Sequence, residues 1–307
     1  MSLTLFAPAK INLFLAITGR RADGFHELVS LVAPLEWGDT LILEARVGAG
    51  ADTLECATPG VPTDGSNLVL KAAAAFRQRA GAAAPPVHFK LLKSVPAGAG
   101  LGGGSSDAAA ALRGLNQLAT RPLDPEALRQ CAAEVGSDVP LFLEAAPIVM
   151  RGRGEKITVL PAAAAAVLAG RELVVFKPPF GIPTAWAYGR MRAQAGGWYV
   201  PADTAEAALS AWLCAPAWAF LPLGNNLEYP AFEKYLALPA LLDELRTNFH
   251  LRCRMSGSGS ACFALLEPVS PRPLIERTIR DAWGPEAIIQ FTRLAGAGQT
   301  ENQRPAV

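Results

Sequence analysis

An α+β chain in two parts is the fold class that this sequence predicts, and three observations carry it. Short or alternating apolar runs at 3–7, 11–17, 27–35, 40–46 and 87–93 have the patterning of strands. Runs with helical character at 67–80, 105–119 and 125–135 are interleaved with them. Turn signals then cluster at Arg151-Gly152-Arg153-Gly154, and after an alanine tract a new apolar strand begins over 173–176. At 307 residues and 51% hydrophobic content the chain can build two cores. A boundary near residue 155 is expected, giving domains 1–155 and 156–294.

The opening run is apolar, yet Pro8, Lys10 and Asn12 interrupt it before a signal-peptide core develops, so it reads as strand. The helix at 125–135 has its own punctuation, with Asp124 placed as N-cap and Pro125 at the first helical position. Beyond residue 155 the pattern gives helices at 184–193, 203–214 and 237–249, a proline-rich connection at 216–223, and strands at 251–255, 261–266 and 287–292. The alanine tract at 162–169 says little beyond composition. Residues 295–307 are polar and aperiodic, and read as a disordered tail.

Charge and cysteine content narrow the function. With 28 Lys+Arg against 27 Asp+Glu the net charge is +1, so no basic field for nucleic acid is present and any anion site must be local. Five cysteines, odd in number and without C-x-x-C spacing, indicate neither a disulfide framework nor a zinc site, and suit a reducing cytoplasm. An uncharged apolar stretch such as 157–170 contains Pro161 and falls short of the ~20 residues a membrane helix needs, and no membrane span is expected.

The most informative segment is Pro96-Ala97-Gly98-Ala99-Gly100-Leu101-Gly102-Gly103-Gly104-Ser105-Ser106-Asp107, between a strand-like and a helix-like run. Glycine lets a polyphosphate approach the main chain, and a helix starting at Ser105 or Ser106 would aim unpaired N–H groups at the anion. Gly98, Gly100 and Gly103 satisfy G-x-G-x-x-G, but a second helical stretch follows where a dinucleotide fold needs a strand. Gly-Lys-Ser/Thr is absent from the loop, and H-R-D and D-F-G are absent from the chain, which excludes a Walker loop and a protein kinase.

Four further segments carry polar groups in telling places. Lys10, inside an apolar strand pattern, reads either as a lysine snorkelling from an edge or as a fixed charge beside a reacting oxygen. Asp138, between Gly136 and Pro140, either caps a turn or accepts a hydroxyl proton. Phe25 and His26 follow a polar turn and either pack in the core or hold a planar base by stacking and hydrogen bonding. Gly257-Ser258-Gly259 makes a second glycine turn, and two such turns in different halves point to a site between them.

Together, Pro8-Ala9-Lys10-Ile11-Asn12-Leu13, Arg21-Ala22-Asp23-Gly24-Phe25-His26, the loop through Ala109 and Gly136-Ser137-Asp138-Val139-Pro140 resemble the GHMP kinases. Within that superfamily the branch that phosphorylates a cytidine-diphosphate-linked polyol for isoprenoid synthesis is the nearest in pattern. The resemblance implies a two-domain α+β fold, with an N-terminal ribosomal-protein-like ATP domain and a C-terminal ferredoxin-like domain. It implies ATP as co-substrate, with Mg²⁺, on the loop from Pro96 to Ser106, and Lys10 with Asp138 as the catalytic pair. Asn12 falls beside that pair, near the substrate. Phe25 and His26 match the cytosine site, and Tyr188, after Thr184, fits a second aromatic wall. Phe25 stands where Tyr is more frequent, which leaves stacking intact, and Ser137 stands where alanine is usual. A kinase acting on another small alcohol, or a silent ligand-binding member of the fold, are the alternatives.

Overall fold

The structure, a computed structural model, describes residues 2–48, 50–194 and 197–296. The chain opens with β1 (Ser2–Arg20), β2 (His26–Ala45) and β3 (Thr53–Glu55), followed by α1 (Leu68–Ala80), β4 (Val87–Leu92), α2 (Gly103–Leu118) and α3 (Pro125–Val135). Next come β5 (Ile148–Gly152), β6 (Lys156–Val159), α4 (Ala162–Leu168), β7 (Glu172–Lys177), α5 (Thr184–Ala193) and α6 (Ala202–Cys214). The remainder is β8 (Gly224–Asn225), α7 (Glu228–Lys234), α8 (Ala237–Phe249), β9 (Arg252–Met255), β10 (Cys262–Leu265), α9 (Arg272–Trp283) and β11 (Ile288–Arg293).

Among the described residues these strands make two sheets. The larger runs β3-β4-β2-β1-β8, with β5 on the first half of β2 and β6 beyond it. The smaller runs β11-β7-β10-β9, every pair antiparallel, which is the split βαβ order of a ferredoxin-like layer. Both β6, just after residue 155, and β8, from deep in the second half, belong to the larger sheet.

The strands expected to break at 8–10 and 36–39 do not break. Pro8 lies opposite Gly38 as both strands run on through these positions, and a Cβ on Gly38 would come within 2.3 Å of the Ala7 carbonyl oxygen. Two residues that normally end strands therefore permit each other. Bulges follow, between Pro8 and Lys10 and between Asn12 and Phe14. The second resets the alternation of β1. Ala9, Ile11 and Leu13 share one apolar core, whereas Leu15 and Ile17 join the core containing Ala7. Lys10 and Asn12 are thereby aimed, with Leu15, into one cleft.

Helix α3 begins as expected, with Asp124 accepting from the Ala127 N–H at 2.9 Å. Helix α2 starts earlier than Ser105. Its N-cap is Gly102 at φ 72°, in the left-handed region, and the Gly102 carbonyl already accepts from Ser106 at 2.9 Å. Ser106 is buried inside the first turn. The helix α9 and the strands β5 and β6 were not among the expected elements. Of the expected tail, Ala295 is buried and donates to the Pro34 carbonyl oxygen at 2.9 Å, which corrects that residue, and 297–307 lie outside the described residues.

Asn225 and Asn226 join the two halves at the end of β8. Asn226 donates to the carbonyl oxygens of Ile17 and Trp198 at 2.8 Å and accepts from the Ile17 N–H at 2.8 Å. Asn225 donates to the carbonyl oxygens of Met255 and Gly257, each at 2.8 Å. Buried amides with every contact satisfied fix geometry sharply.

Candidate active site

The bulged part of β1, the loop before α2 and the turn at 256–260 meet at the floor of a cleft of about 650 Å³. Lys10 is 5% exposed, and its Nζ donates to Asn12 Oδ1 at 2.6 Å and to the Gly100 carbonyl oxygen at 2.9 Å. It is not a snorkelling edge lysine. Burial lowers its pKa, and the Asp138 carboxylate works in the opposite direction. Asn12 is held in turn, donating from Nδ2 to Ser30 Oγ at 2.9 Å.

The two glycine turns touch. The Ala261 N–H donates to the Ala99 carbonyl oxygen at 3.1 Å, and Ser256 Oγ donates to the Gly100 carbonyl oxygen at 3.1 Å. Gly100 sits at φ 79°, and a Cβ there would lie 2.3 Å from the Ser256 carbonyl oxygen. Gly102, at φ 72°, would meet the Phe142 ring at 2.6 Å. Only glycine fits either place. The N–H groups of Gly103, Gly104 and Ser105 open α2 and lack intrahelical acceptors, as first-turn amides do. Pro96 to Gly100 and Gly102 to Ser105 line the cleft, with Leu101 and Ser106 buried behind them.

Asp138 lies across from Lys10 in the same cleft, in a turn before Pro140, and its carboxylate caps nothing among the described residues. At the far end, Phe25 is 51% exposed rather than packed in the core, and the Arg153 guanidinium carbon lies 5.0 Å from its ring centroid. His26 is buried, 5.0 Å from the Tyr188 ring and 5.9 Å from Tyr199, and its Nε2 has no hydrogen-bond partner. Burial, then Arg192 and Arg20, lower its pKa, so the imidazole is neutral at neutral pH. Thr184 lines the rim, its Oγ1 2.9 Å from Ser258 Oγ.

Sequence reading missed several neighbours of these groups. Arg153 and Arg192 also line the cleft. Beneath the loop, Lys93 bridges Asp39 and Asp107, the latter at 2.8 Å, and Asp39 accepts from the N–H groups of Ser94 and Val95 at 2.6 and 2.8 Å. The signal available was Lys93 next to the loop, since only seven cations in the chain are lysine. Two buried carboxylates share one ammonium, and Asp107 Oδ1 has no partner. The Asp107 pKa is pushed up to about 8 by burial, opposed by Lys93 and reinforced by Asp39. Because the folded state then holds a proton that the unfolded chain releases, Asp107 favours folding at low pH and loses that contribution as pH rises through its folded pKa. Asp107→Asn, which keeps the acceptor for Lys93, should flatten the pH dependence of the unfolding midpoint between about pH 5 and about pH 8. Parallel slopes for the two proteins in denaturant titrations would contradict a protonated Asp107.

Comparison with known proteins agrees with this geometry. Residues 67–145 match the family model described as GHMP kinases N terminal domain. The chain is 40% identical over 269 residues to 4-diphosphocytidyl-2-C-methyl-D-erythritol kinase of Methylacidiphilum infernorum (isolate V4), covering 87% of each chain. It is 36% identical over 305 residues to the protein of that name from Sinorhizobium medicae (strain WSM419), covering 96% of each. It also superposes on a crystal structure of 4-(cytidine 5'-diphospho)-2C-methyl-D-erythritol kinase with TM-score 0.76 and 35% identity, over 96% of this chain and 100% of the other. With 35–40% identity over most of each of these proteins added to the loop, the lysine and the two-sheet fold, the chain belongs to the 4-diphosphocytidyl-2-C-methyl-D-erythritol kinase family, a branch of the ATP-dependent GHMP kinases.

Proposed function

We propose that the chain transfers the γ-phosphoryl group of ATP to the 2-hydroxyl of 4-diphosphocytidyl-2-C-methyl-D-erythritol, giving ADP and the 2-phosphate, in non-mevalonate isoprenoid synthesis. The observation that carries this reading is a single cleft lined by the amide-rich loop, by Lys10 with Asp138, and by Phe25, His26 and Tyr188. In it, residues 1–155 supply the ATP and catalytic groups, and residues 156–294 add Thr184, Tyr188 and the second glycine turn. The cytoplasm is the setting we assign, where five free cysteines stay reduced. The near-balanced charge suits a small substrate better than a nucleic acid.

Phosphoryl transfer asks the protein for alignment and charge stabilisation more than for covalent chemistry. The first-turn amides of α2 offer fixed donors to the polyphosphate. Asp138 orients the acceptor hydroxyl and receives its proton, while the Lys10 ammonium steadies the oxygen as it becomes nucleophilic. Among the described residues no three acidic, histidine or cysteine side chains stand together as a metal cage. The donors at hand are Asp138 and the Ser105 hydroxyl, which suit a Mg²⁺ that arrives on the nucleotide's own oxygens. Held there, the ion would supply charge neutralisation for the phosphates.

For the base, the half-exposed face of Phe25 supplies stacking, Tyr188 a second wall, and the unpartnered His26 Nε2 a hydrogen bond to the polar edge of cytosine. Phe25→Ala should weaken the cytidine substrate by about 1–3 kcal/mol and leave ATP unchanged, as KM values for the two will report. Equal weakening of both would move the base elsewhere. The whole reading is tested by a coupled ADP-release assay with the cytidine substrate beside homoserine and mevalonate. Selective turnover of the cytidine compound supports it, and ATP binding without turnover of any alcohol leaves a ligand-binding protein.

A further inference from the structure

Three pairs of arginines, each one or two positions apart in the chain, contribute members to the base end of the cleft or its surroundings, and in each pair only one member is engaged by a carboxylate. On β1 and the turn after it, Arg21 holds Asp23 at 3.0 Å and Glu27 at 2.8 Å. At the end of β5, Arg151 holds Glu206 at 2.7 Å. On α5, Arg190 holds Glu233 at 3.3 Å. Their companions Arg20, Arg153 and Arg192 make no ion pair and no side-chain hydrogen bond among the described residues.

The unengaged members are the ones at the cleft. Arg153 and Arg192 line it, and Arg20 stands near enough, with Arg192, to depress the His26 pKa. The nearby carboxylates are already shared: Asp23, Glu27 and Glu155 gather on Arg21, and Asp23, whose pKa Arg153 also helps to lower, offsets Arg153 only from beyond ion-pair distance. Like charges lining one cleft with no carboxylate in ion-pair contact repel, so such a group makes sense where a polyanion is bound. The γ-phosphate chemistry lies at the other end of the cleft, by the glycine loop. The anion needed here is next to the base.

Resting on the substrate reading above, we infer that Arg153 and Arg192 form the subsite for the substrate's diphosphate bridge. They thereby select an alcohol linked through a nucleoside diphosphate over one carried on a monophosphate. Arg153 has a second hold on the ligand, since its guanidinium lies over the ring of Phe25 on which the base stacks. Guanidinium forks are suited to bidentate phosphate contacts. The two residues come from different halves of the chain, so the bridge is gripped from both sides of the cleft.

The test is calorimetric binding of cytidine, CMP and CDP with a non-hydrolysable ATP analogue already on the loop. It is run on the wild type, Arg153→Gln, Arg192→Gln and the double variant, with melting temperature as a control for folding. The wild type should bind CDP at least ~10-fold more tightly than CMP, the scale of a charge-assisted contact. Each single substitution should reduce the CDP-to-CMP ratio, the double should bring it near unity, and any loss of cytidine affinity should be smaller than the loss for CDP. Arg192→Lys should restore part of the ratio. A ratio near unity in the wild type, or one that the double variant preserves, overturns the diphosphate subsite. If the cytidine substrate still turns over with an unchanged KM in the double variant, the reaction stands and this subsite falls. If the wild type neither binds CDP nor phosphorylates the cytidine substrate, the substrate reading fails and takes the subsite with it.

Discussion

Asp138→Asn should lower turnover by at least ~10²-fold with ATP affinity little changed, the scale of a lost general base. The carboxylate lines the cleft and makes no hydrogen bond among the described residues, which leaves its acceptor oxygens free for an incoming hydroxyl. It is also the charge that opposes the burial-driven fall in the Lys10 pKa. Asparagine keeps the shape, cannot take a proton, and removes that support. Single-turnover kinetics at saturating substrate, with nucleotide affinity measured separately, read the two effects apart. A variant that turns over at near-normal rate would remove Asp138 from the chemistry.

Gly100→Ala should be the most damaging change of a single methyl group in the loop. Its positive φ costs an alanine about 1–2 kcal/mol, and forcing a Cβ against packed backbone adds about 1–3 kcal/mol. The obstruction is main chain on three sides: the Ser256 carbonyl oxygen at 2.3 Å, the Gly259 nitrogen at 3.1 Å and the Gly259 oxygen at 3.3 Å. Neither turn can give without parting from the other. Because the Gly100 carbonyl also accepts from Lys10, the loss should extend to catalysis and to the KM for ATP. Gly98→Ala is the control, since φ there is 63° but nothing lies within 4 Å of the added carbon. Denaturant unfolding that gave both variants the same midpoint would show that contact between the turns contributes nothing.

The parts of the site that were legible in the sequence are those specified by local chemistry. The glycine loop, the Asp124-Pro125 helix start and the polar residues interrupting β1 each announce themselves within a few positions. What was lost depends on partners distant in sequence. Pro8 and Gly38 looked like strand ends because nothing local says that they face each other. The spacing of Ile275, Ile279 and Trp283 does mark the buried face of α9, but the charged residues between them masked it. Arg153 could not be told from Arg151, nor Arg192 from Arg190, because the difference is which of them meets a carboxylate after folding. Glycine-rich signals at 151–154 likewise hid a tight hairpin, β5 to β6, behind an apparent boundary.

The position of β8 also bears on how the protein is made. Phe14 and Leu15 find their neighbours in Gly224 and Asn225, so the apolar edge of β1 waits unpaired while more than two hundred residues leave the ribosome. An open edge of that kind is a template for pairing with another chain, and contacts so distant in sequence form late. The cleft floor that holds Lys10 and Asn12 is therefore completed only after residues 225 and 226 have been made, when the Asn225–Asn226 amides close over β1. The nascent chain is exposed to mispairing at the same strand on which its chemistry depends.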